Sequence, residues 1–171
     1  MRQVKDFMKL VLQKAMKKQR NSLKIMTLDK YINIFLDRDG IVNDVVLRKG
    51  VVSSPRSIEE FVFRKDFLSF AQKIDKKYKF FLVTNQPDIK RNLLKENHLK
   101  EMHIKLMNIL KFEEMFVCKH DDNDNCSCRK PKPGMILDAI TRHNLHHDEC
   151  IMIGDSLKDL KAASAAGIDA F

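Results

Sequence analysis

The sequence predicts an α/β fold, a parallel β-sheet held between two layers of helices. Three observations carry that expectation. Short apolar runs of four or five residues alternate along the chain with longer stretches of helical period. Strands that are apolar throughout are strands buried on both faces. Several of these runs stop abruptly at carboxylates, amides and hydroxyls, as strands do when their carboxyl ends feed a crevice. The chain can also build one core, since its 171 residues are 44% hydrophobic and 32% charged.

The elements follow in order. Residues 1–30 form a leader distinct from the domain of residues 31–171. In the leader Val4, Phe7, Met8, Val11, Leu12, Ala15 and Met16 recur at helical spacing, lysines fill the other face, and Asn21-Ser22 ends the pattern. Such a helix is expected to dock on the domain or on a partner chain. Attachment to an anionic membrane surface is the alternative, and the lack of any Trp anchor counts against it. Ile32–Leu36 reads as the first strand. Gly50–Ser57, broken by Pro55, reads as a loop. Phe61–Lys77 reads as a helix that presents Phe67, Leu68, Phe70, Ala71 and Ile74 on one face. Lys79–Val83 is a second strand, Leu93–Leu110 a second helix, and Met115–Cys118 a third strand. Pro133-Gly134 opens a helix running to about His143. Cys150–Ile153 is a fourth strand, and Ser156–Ala166 is an alanine-rich helix closed by Gly167.

Composition excludes some roles. The net charge of +9 suggests a nucleic-acid partner, but +7 of it sits in residues 1–30 and only +2 in the rest. The basic character belongs to the leader, so no nucleic-acid partner is expected of the domain. No stretch reaches the roughly 18 consecutive apolar residues of a membrane-spanning helix. Lys5, Asp6, Lys9 and Lys14 break up any signal-peptide core. A cytoplasmic protein is expected, with its four cysteines as thiols or metal ligands rather than two disulfides.

The strand ends carry the chemistry. The first ends at Asp37 and Asp39, the second at Thr84-Asn85-Gln86, and the fourth at Gly154-Asp155-Ser156 with Asp159 following. Parallel strands bring these groups to one rim, together with Arg129-Lys130-Pro131-Lys132-Pro133-Gly134 beyond the third strand. Clustered carboxylates repel one another, and a hard cation such as Mg²⁺ relieves that while gathering substrate phosphate. A carboxylate beside the cation can attack phosphorus. A second one, two residues on, can protonate the leaving oxygen and later activate water. A hydroxyl and a lysine can hold the phosphoryl oxygens. Singly, Asp39 and Asp155 read equally well as turn or helix caps, Thr84 as a capping hydroxyl, and Lys130 as a solvated charge. Their joint arrival at converging strand ends favours the chemical reading.

Asp37-x-Asp39-Gly40, Thr84, Lys130 and Gly154-Asp155-x-x-x-Asp159 resemble, in order, the four motifs of the haloacid dehalogenase superfamily of phosphohydrolases. The resemblance covers residues 31–171. It implies a Rossmann-like three-layer sheet with a minimal cap. It makes Asp37 the nucleophile and Asp39 the acid/base. It gives phosphoryl binding to Thr84 and Lys130, and Mg²⁺ binding to Asp37, Asp155 and the backbone of Asp39.

One loop narrows the resemblance. Cys118-x-His120 and Cys126-x-Cys128 place three thiolates and an imidazole within eleven residues, a set suited to a closed tetrahedral, structural Zn²⁺ site. Reduced free thiols beside a hydrated acidic loop are the alternative. With Arg129-Lys130-Pro131-x-Pro133-Gly134-Met135 following, this loop is similar to that of the heptose bisphosphate phosphatases and the related histidinol-phosphate phosphatases. That likeness implies a phosphorylated sugar as substrate on the route to a surface polysaccharide, with Arg129 contacting it beyond the scissile phosphate. Asn85, Gln86 and Arg91 are expected in the substrate pocket as well. Those phosphatases carry Ser-Gly-x-x-Arg-Gly where this chain has Pro87-Asp88-Ile89-Lys90-Arg91-Asn92, which keeps only the arginine. A further strand and a terminal helix are expected near the C-terminus, where the chain reaches Phe171. A monomer is expected. Outside the superfamily reading stands a binding or scaffolding role for an idle core with the leader as docking element. The intact Asp37/Asp39 pair speaks against it.

Overall fold

A computed structural model describes residues 30–171. The expected leader helix lies outside the described residues. Five parallel strands form one sheet in the order β5-β4-β1-β6-β7, where β1 is Asn33–Leu36, β4 Lys79–Asn85, β5 Glu114–Cys118, β6 Cys150–Ile153 and β7 Asp169–Ala170. The expected three-layer fold is present. Period-two alternation sends each strand's residues to opposite faces. Ile34, Leu36, Phe80, Leu82, Ile151 and Ile153 face α1 (Lys65–Lys73) and α2 (Glu96–Met107), meeting Phe67, Phe70 and Leu106. Phe35, Phe81, Val83, Cys150 and Met152 face α3 (Gly134–His143) and α4 (Leu157–Ala165), meeting Met135, Ile136, Ala139, Ala162 and Ala163. Each fully buried Leu, Ile or Phe side chain contributes about 1.5–3 kcal/mol of transfer free energy.

The helix ends follow local rules. Asn144 ends α3 in the left-handed conformation, with Leu145 N–H donating to Ile140 O at 3.0 Å. Gly167, at φ +72°, does the same for α4, with Ile168 N–H donating to Ala163 O at 3.1 Å. The α3 and β6 bounds match the sequence reading. Two helices are shorter than their apolar period suggested. Phe61–Arg64 is claimed by tertiary pairing, in which Asp44 N–H donates to Val62 O and Arg64 N–H to Val42 O. Leu93 and Leu94 instead donate to Asp88 O in a turn.

The largest departure lies at the start of Gly50–Ser57, expected to be loop, and in the unassigned residues just before it. Here β2 (Val46–Arg48) and β3 (Val51–Ser53) form an antiparallel hairpin. Lys49 (φ +50°) and Gly50 (φ +79°) are its two-residue turn, the geometry that matches strand twist. The strands are too short and too exposed to show alternation, so the sequence carried no periodic signal. This hairpin stands as a small flap at the carboxyl edge, in keeping with the minimal cap. Near the C-terminus, β7 is a two-residue strand paired with β6.

Candidate active site

The sheet fixes the first carboxylate. Asp37 follows the last buried residue of β1, and its main-chain N–H donates to Ile153 O of β6 at 2.9 Å. Gly40 then turns the chain away at φ +87°, and a Cβ there would lie 2.0 Å from Asp155 Oδ2. Glycine therefore leaves the space that the Asp155 carboxylate fills. A Cβ on Gly154 would fall 2.3 Å from Asp159 Cβ, so this glycine lets the first turn of α4 fold against the strand end. Ser156 and Asp159 form a reciprocal capping box there.

Lys130 is the hub. Its ammonium, buried at 3% exposure, lies 2.8 Å from Asp37 Oδ1 and 2.5 Å from Asp159 Oδ1. It also donates to Val83 O at 2.7 Å. Asn85 holds the lysine's main chain from both sides: its Nδ2 donates to Lys130 O at 2.9 Å, and its Oδ1 accepts from Lys130 N–H at 3.0 Å. Burial works against the Lys130 charge, but Asp37 and Asp159 outweigh it and raise its pKa. Burial raises the Asp37 carboxyl, against the pull of the Lys130 ammonium. Burial and the charge of Asp159 raise Asp155 as well. Asp37, Asp155 and Asp159 present oxygens within 4.8 Å of one another. Such a crowded set fits a hard divalent cation, whose ligands stand at most about 4.2 Å apart across the ion at bond lengths near 2.1 Å.

Asp39 is held differently. The guanidinium of Arg38, itself fully buried, forks onto its carboxylate through Nε and Nη2, both at 3.1 Å. Asn43 Nδ2 and Gln86 Nε2 each donate to it at 2.9 Å. Burial alone would raise this carboxyl, yet Arg38 and the two amides bring it below its ordinary value. Thr84 is buried at the end of β4, with its Oγ1 accepting from Gln86 at 3.0 Å.

The cysteine loop closes beside this floor. Cys118 Sγ lies 3.8 Å from Cys126 Sγ, 3.2 Å from Cys128 Sγ and 3.6 Å from His120 Nδ1. Cys128 Sγ lies 3.5 Å from Cys126 Sγ and 3.2 Å from His120 Nδ1. A tetrahedral Zn²⁺ with Zn–S bonds near 2.3 Å has S···S edges of about 3.8 Å and S···N edges of about 3.5 Å. These spacings are close to the required edges. Burial pushes the Cys118 thiol up to about 12, so a thiolate there depends on a cation. A Cβ on Gly134 would fall 2.4 Å from Ser127 O, so the glycine opening α3 lets the loop lie on the helix start. Cys150, apart from this cluster, is a buried thiol donating to His146 O at 3.1 Å.

Above lies a cavity of about 600 Å³ lined by Asp37, Asp39, Thr84, Asn85, Lys130 and Asp155, by Arg91 and Arg129, and by the flap. Thus the predicted set gathers at one rim, with two differences. Gln86, expected against substrate, is fully buried beneath Asp39 and does not line the cavity. Asn85 lines it but spends its amide on Lys130. Arg91 ion-pairs with Asp121, and Arg129 donates to Asp122 Oδ1 at 2.7 Å. Asn92, where the similar phosphatases have glycine, stands at φ +56°, a conformation that asparagine tolerates best after glycine. Arg38, Asp159, the flap's Arg48 and buried Asp88, which accepts from Arg56 at 2.7 Å, also belong to the site or its support, beyond the residues expected from the sequence. Only Asp159 carried a signal, as the last member of its motif.

Residues 3–167 match the haloacid dehalogenase-like hydrolases. The chain belongs to that family. Among curated relatives of this hydrolase is the D-glycero-beta-D-manno-heptose-1,7-bisphosphate 7-phosphatase of Helicobacter pylori, 35% identical over 145 residues, which are 79% of each chain. The histidine biosynthesis bifunctional protein HisB of Campylobacter jejuni is 30% identical over 79% of this chain but only 39% of its own length. Among solved structures, the D,D-heptose 1,7-bisphosphate phosphatase of B. bronchiseptica, complexed with magnesium and phosphate, superposes with a TM-score of 0.71 at 31% identity. That alignment covers 81% of this chain and 78% of the other. With phosphatase relatives across most of its length, this haloacid dehalogenase-like hydrolase is a phosphoric monoester hydrolase. Among the described residues no helix is long and apolar enough to cross a membrane.

Proposed function

We propose that the protein is a Mg²⁺-dependent heptose 1,7-bisphosphate 7-phosphatase that works through an aspartyl-phosphate on Asp37. The observation that carries the reading is the convergence of the Asp37, Asp155 and Asp159 carboxylates on the Lys130 ammonium beneath an arginine-lined cavity. The ion, held by Asp37, Asp155 and the Asp39 main chain, would offset carboxylate charge and polarise the phosphoryl group. An Asp37 oxygen attacks phosphorus while the sugar–oxygen bond to phosphorus breaks, and Asp39 gives the departing oxygen its proton. Water then attacks the acyl phosphate, Asp39 takes the water's proton, and inorganic phosphate leaves. Lys130 and the Thr84 hydroxyl hold phosphoryl oxygens in both steps. The Arg38 fork favours the carboxylate form of Asp39, which suits the second step; to act in the first, Asp39 must first take up a proton, giving up its hold on Arg38, and then pass that proton to the leaving oxygen. Cys118, His120, Cys126 and Cys128 would hold a structural Zn²⁺ that steadies the segment carrying Arg129. Thiols of this kind suit the reducing cytoplasm.

Phosphate release from both heptose bisphosphate anomers and from histidinol phosphate, with and without Mg²⁺, tests the reading. Mg²⁺-dependent turnover of a heptose bisphosphate is expected, and Asp37→Asn abolishes it with the fold retained. No release from any of the three compounds refutes the assignment. Faster turnover of histidinol phosphate gives the site to the second reading, which the likeness to the HisB protein favours.

A further inference from the structure

Four arginines line the cavity: Arg48, Arg56, Arg91 and Arg129. Three of them spend a terminal nitrogen inside the protein. Arg48 gives Nη1 to Ser54 O and Nη2 to Glu60, Arg91 gives Nη2 to Asp121, and Arg129 gives Nη1 to His120 O. Arg56 differs. Its side chain is engaged only through Nε, which donates to Asp88 Oδ2 at 2.7 Å. Among the described residues neither of its terminal nitrogens meets an acceptor. Everything else on this residue is tied down. Its main-chain N–H donates to Glu60 Oε2 at 2.7 Å, and its carbonyl oxygen lies 3.3 Å from His98 Nδ1 on α2. The anchor itself is buried, since the Asp88 side chain is only 8% exposed and holds Arg91 Nη1 at 3.5 Å on its other oxygen. The similar phosphatases have glycine where this chain has Asp88, and glycine has nothing to hold a guanidinium with. Arg56 thus ends in four uncommitted N–H donors on a cavity wall.

We infer that Arg56 is a specificity-determining residue that accepts substrates bearing oxygen acceptors and rejects those bearing an ammonium group, and that Asp88 is its positioning residue. This rests on the phosphatase reading above and deepens it. A guanidinium carries donors only and stays charged at any working pH. Its free edge matches two oxygens of a phosphate or a carboxylate side by side. An ammonium group brings donors and a like charge, so at this wall it gives up water and finds no acceptor. The two candidate substrates differ in this respect. Beyond the phosphate that is cleaved, a heptose bisphosphate offers hydroxyls and a phosphate, whereas histidinol phosphate offers an ammonium. Asp88 sets the plane of the guanidinium through Nε without occupying the terminal edge. The group is therefore oriented before substrate arrives, and binding does not have to order a long side chain.

The test takes the ratio of kcat/KM for heptose 1,7-bisphosphate to kcat/KM for histidinol phosphate. Arg56→Met keeps the apolar stem and removes the donors, and it lowers this ratio by about tenfold, the worth of one charge-assisted hydrogen bond. Arg56→Lys keeps the charge but not the fork and lowers the ratio by a smaller factor, which decides the matter if Arg56→Met does not fold. Asp88→Ala lowers the ratio in the parent protein and leaves it unchanged in Arg56→Met, because its effect runs through the arginine. A ratio within about twofold of the parent's in both Arg56 variants overturns the inference, and an equal effect of Asp88→Ala in both backgrounds overturns the positioning role. Calorimetric binding to Asp37→Asn gives a readout that needs no turnover: adding Arg56→Met weakens the bisphosphate and not histidinol phosphate. A parent protein that releases phosphate from neither compound sinks the catalytic reading, and this binding comparison still decides the role of Arg56. Equal changes in affinity for the two compounds overturn it.

Discussion

Gly40→Ala separates the fold from the proposed Mg²⁺ site. Two penalties meet at this position. The first is the backbone: φ +87° is open to glycine, and an L-residue there pays about 1–2 kcal/mol. The second is steric. The new methyl would stand 2.0 Å from Asp155 Oδ2 and 2.7 Å from Asp155 Cγ. Both atoms lie at the end of an exposed side chain, which can rotate away rather than break the core. The cost to stability therefore stays near the backbone figure. For a domain of this size that lowers Tm by about 3–8 °C. The cost to the cation is far larger, because Asp155 must leave the cluster it forms with Asp37 and Asp159. The expected result is a cooperatively folded protein whose Mg²⁺ affinity falls by about 10- to 100-fold, with turnover lost at moderate Mg²⁺ and partly recovered at high Mg²⁺. Thermal unfolding, calorimetric Mg²⁺ titration and phosphate release at graded Mg²⁺ check the three parts. A variant with the parent's Mg²⁺ affinity and rate would refute the claim that this glycine makes room for Asp155.

Elemental analysis should find about one zinc per chain at the closed four-ligand site. Stripping that zinc should raise KM for a heptose bisphosphate more than it lowers kcat with p-nitrophenyl phosphate, because Asn85 keeps Lys130 in place. His103 should report acid sensitivity: burial and the nearby Arg38 push it down to about 4. A depressed histidine destabilises the fold as pH drops from its unfolded value near 6.5 toward 4, by about 3 kcal/mol in all, with no further loss below. Denaturant unfolding at pH 7 and pH 4.5 should show this decline, and His103→Gln should flatten it. Gly154→Ala should cost about 3–5 kcal/mol by driving Asp159 off Lys130. Denaturant midpoints check it, and a loss under about 1 kcal/mol would mean that the α4 turn adjusts freely.

Sequence and structure agree where burial dominates. NIFL, KFFLV and CIMI are apolar on both faces, so their strands and their carboxyl ends were legible, and with them Asp37, Thr84 and Asp155. The four zinc-type ligands were legible because their spacing is local. What escaped depends on distant partners. Arg38 lies between two carboxylates in the sequence, but its full burial beside Met102 and Phe61 follows only from packing. Phe61–Arg64 has helical period, yet pairing with residues 42–44 draws it out straight. The flap hides in three-residue strands whose Leu47, Val51 and Val52 face solvent. Asn85 lines the cavity as expected, but that its amide also holds the Lys130 backbone follows only from the loop's return to the sheet.

The double amide clamp of Asn85 on Lys130 has a consequence for how such enzymes change. It anchors the lysine to the central sheet independently of everything that precedes it in the loop. Residues 119–129 then behave as an exchangeable cartridge seated between two fixed posts, Cys118 on β5 and Lys130 on β4's amide. Loops of different length and charge can be grafted there and new substrates tried, while the bond-breaking apparatus keeps its alignment.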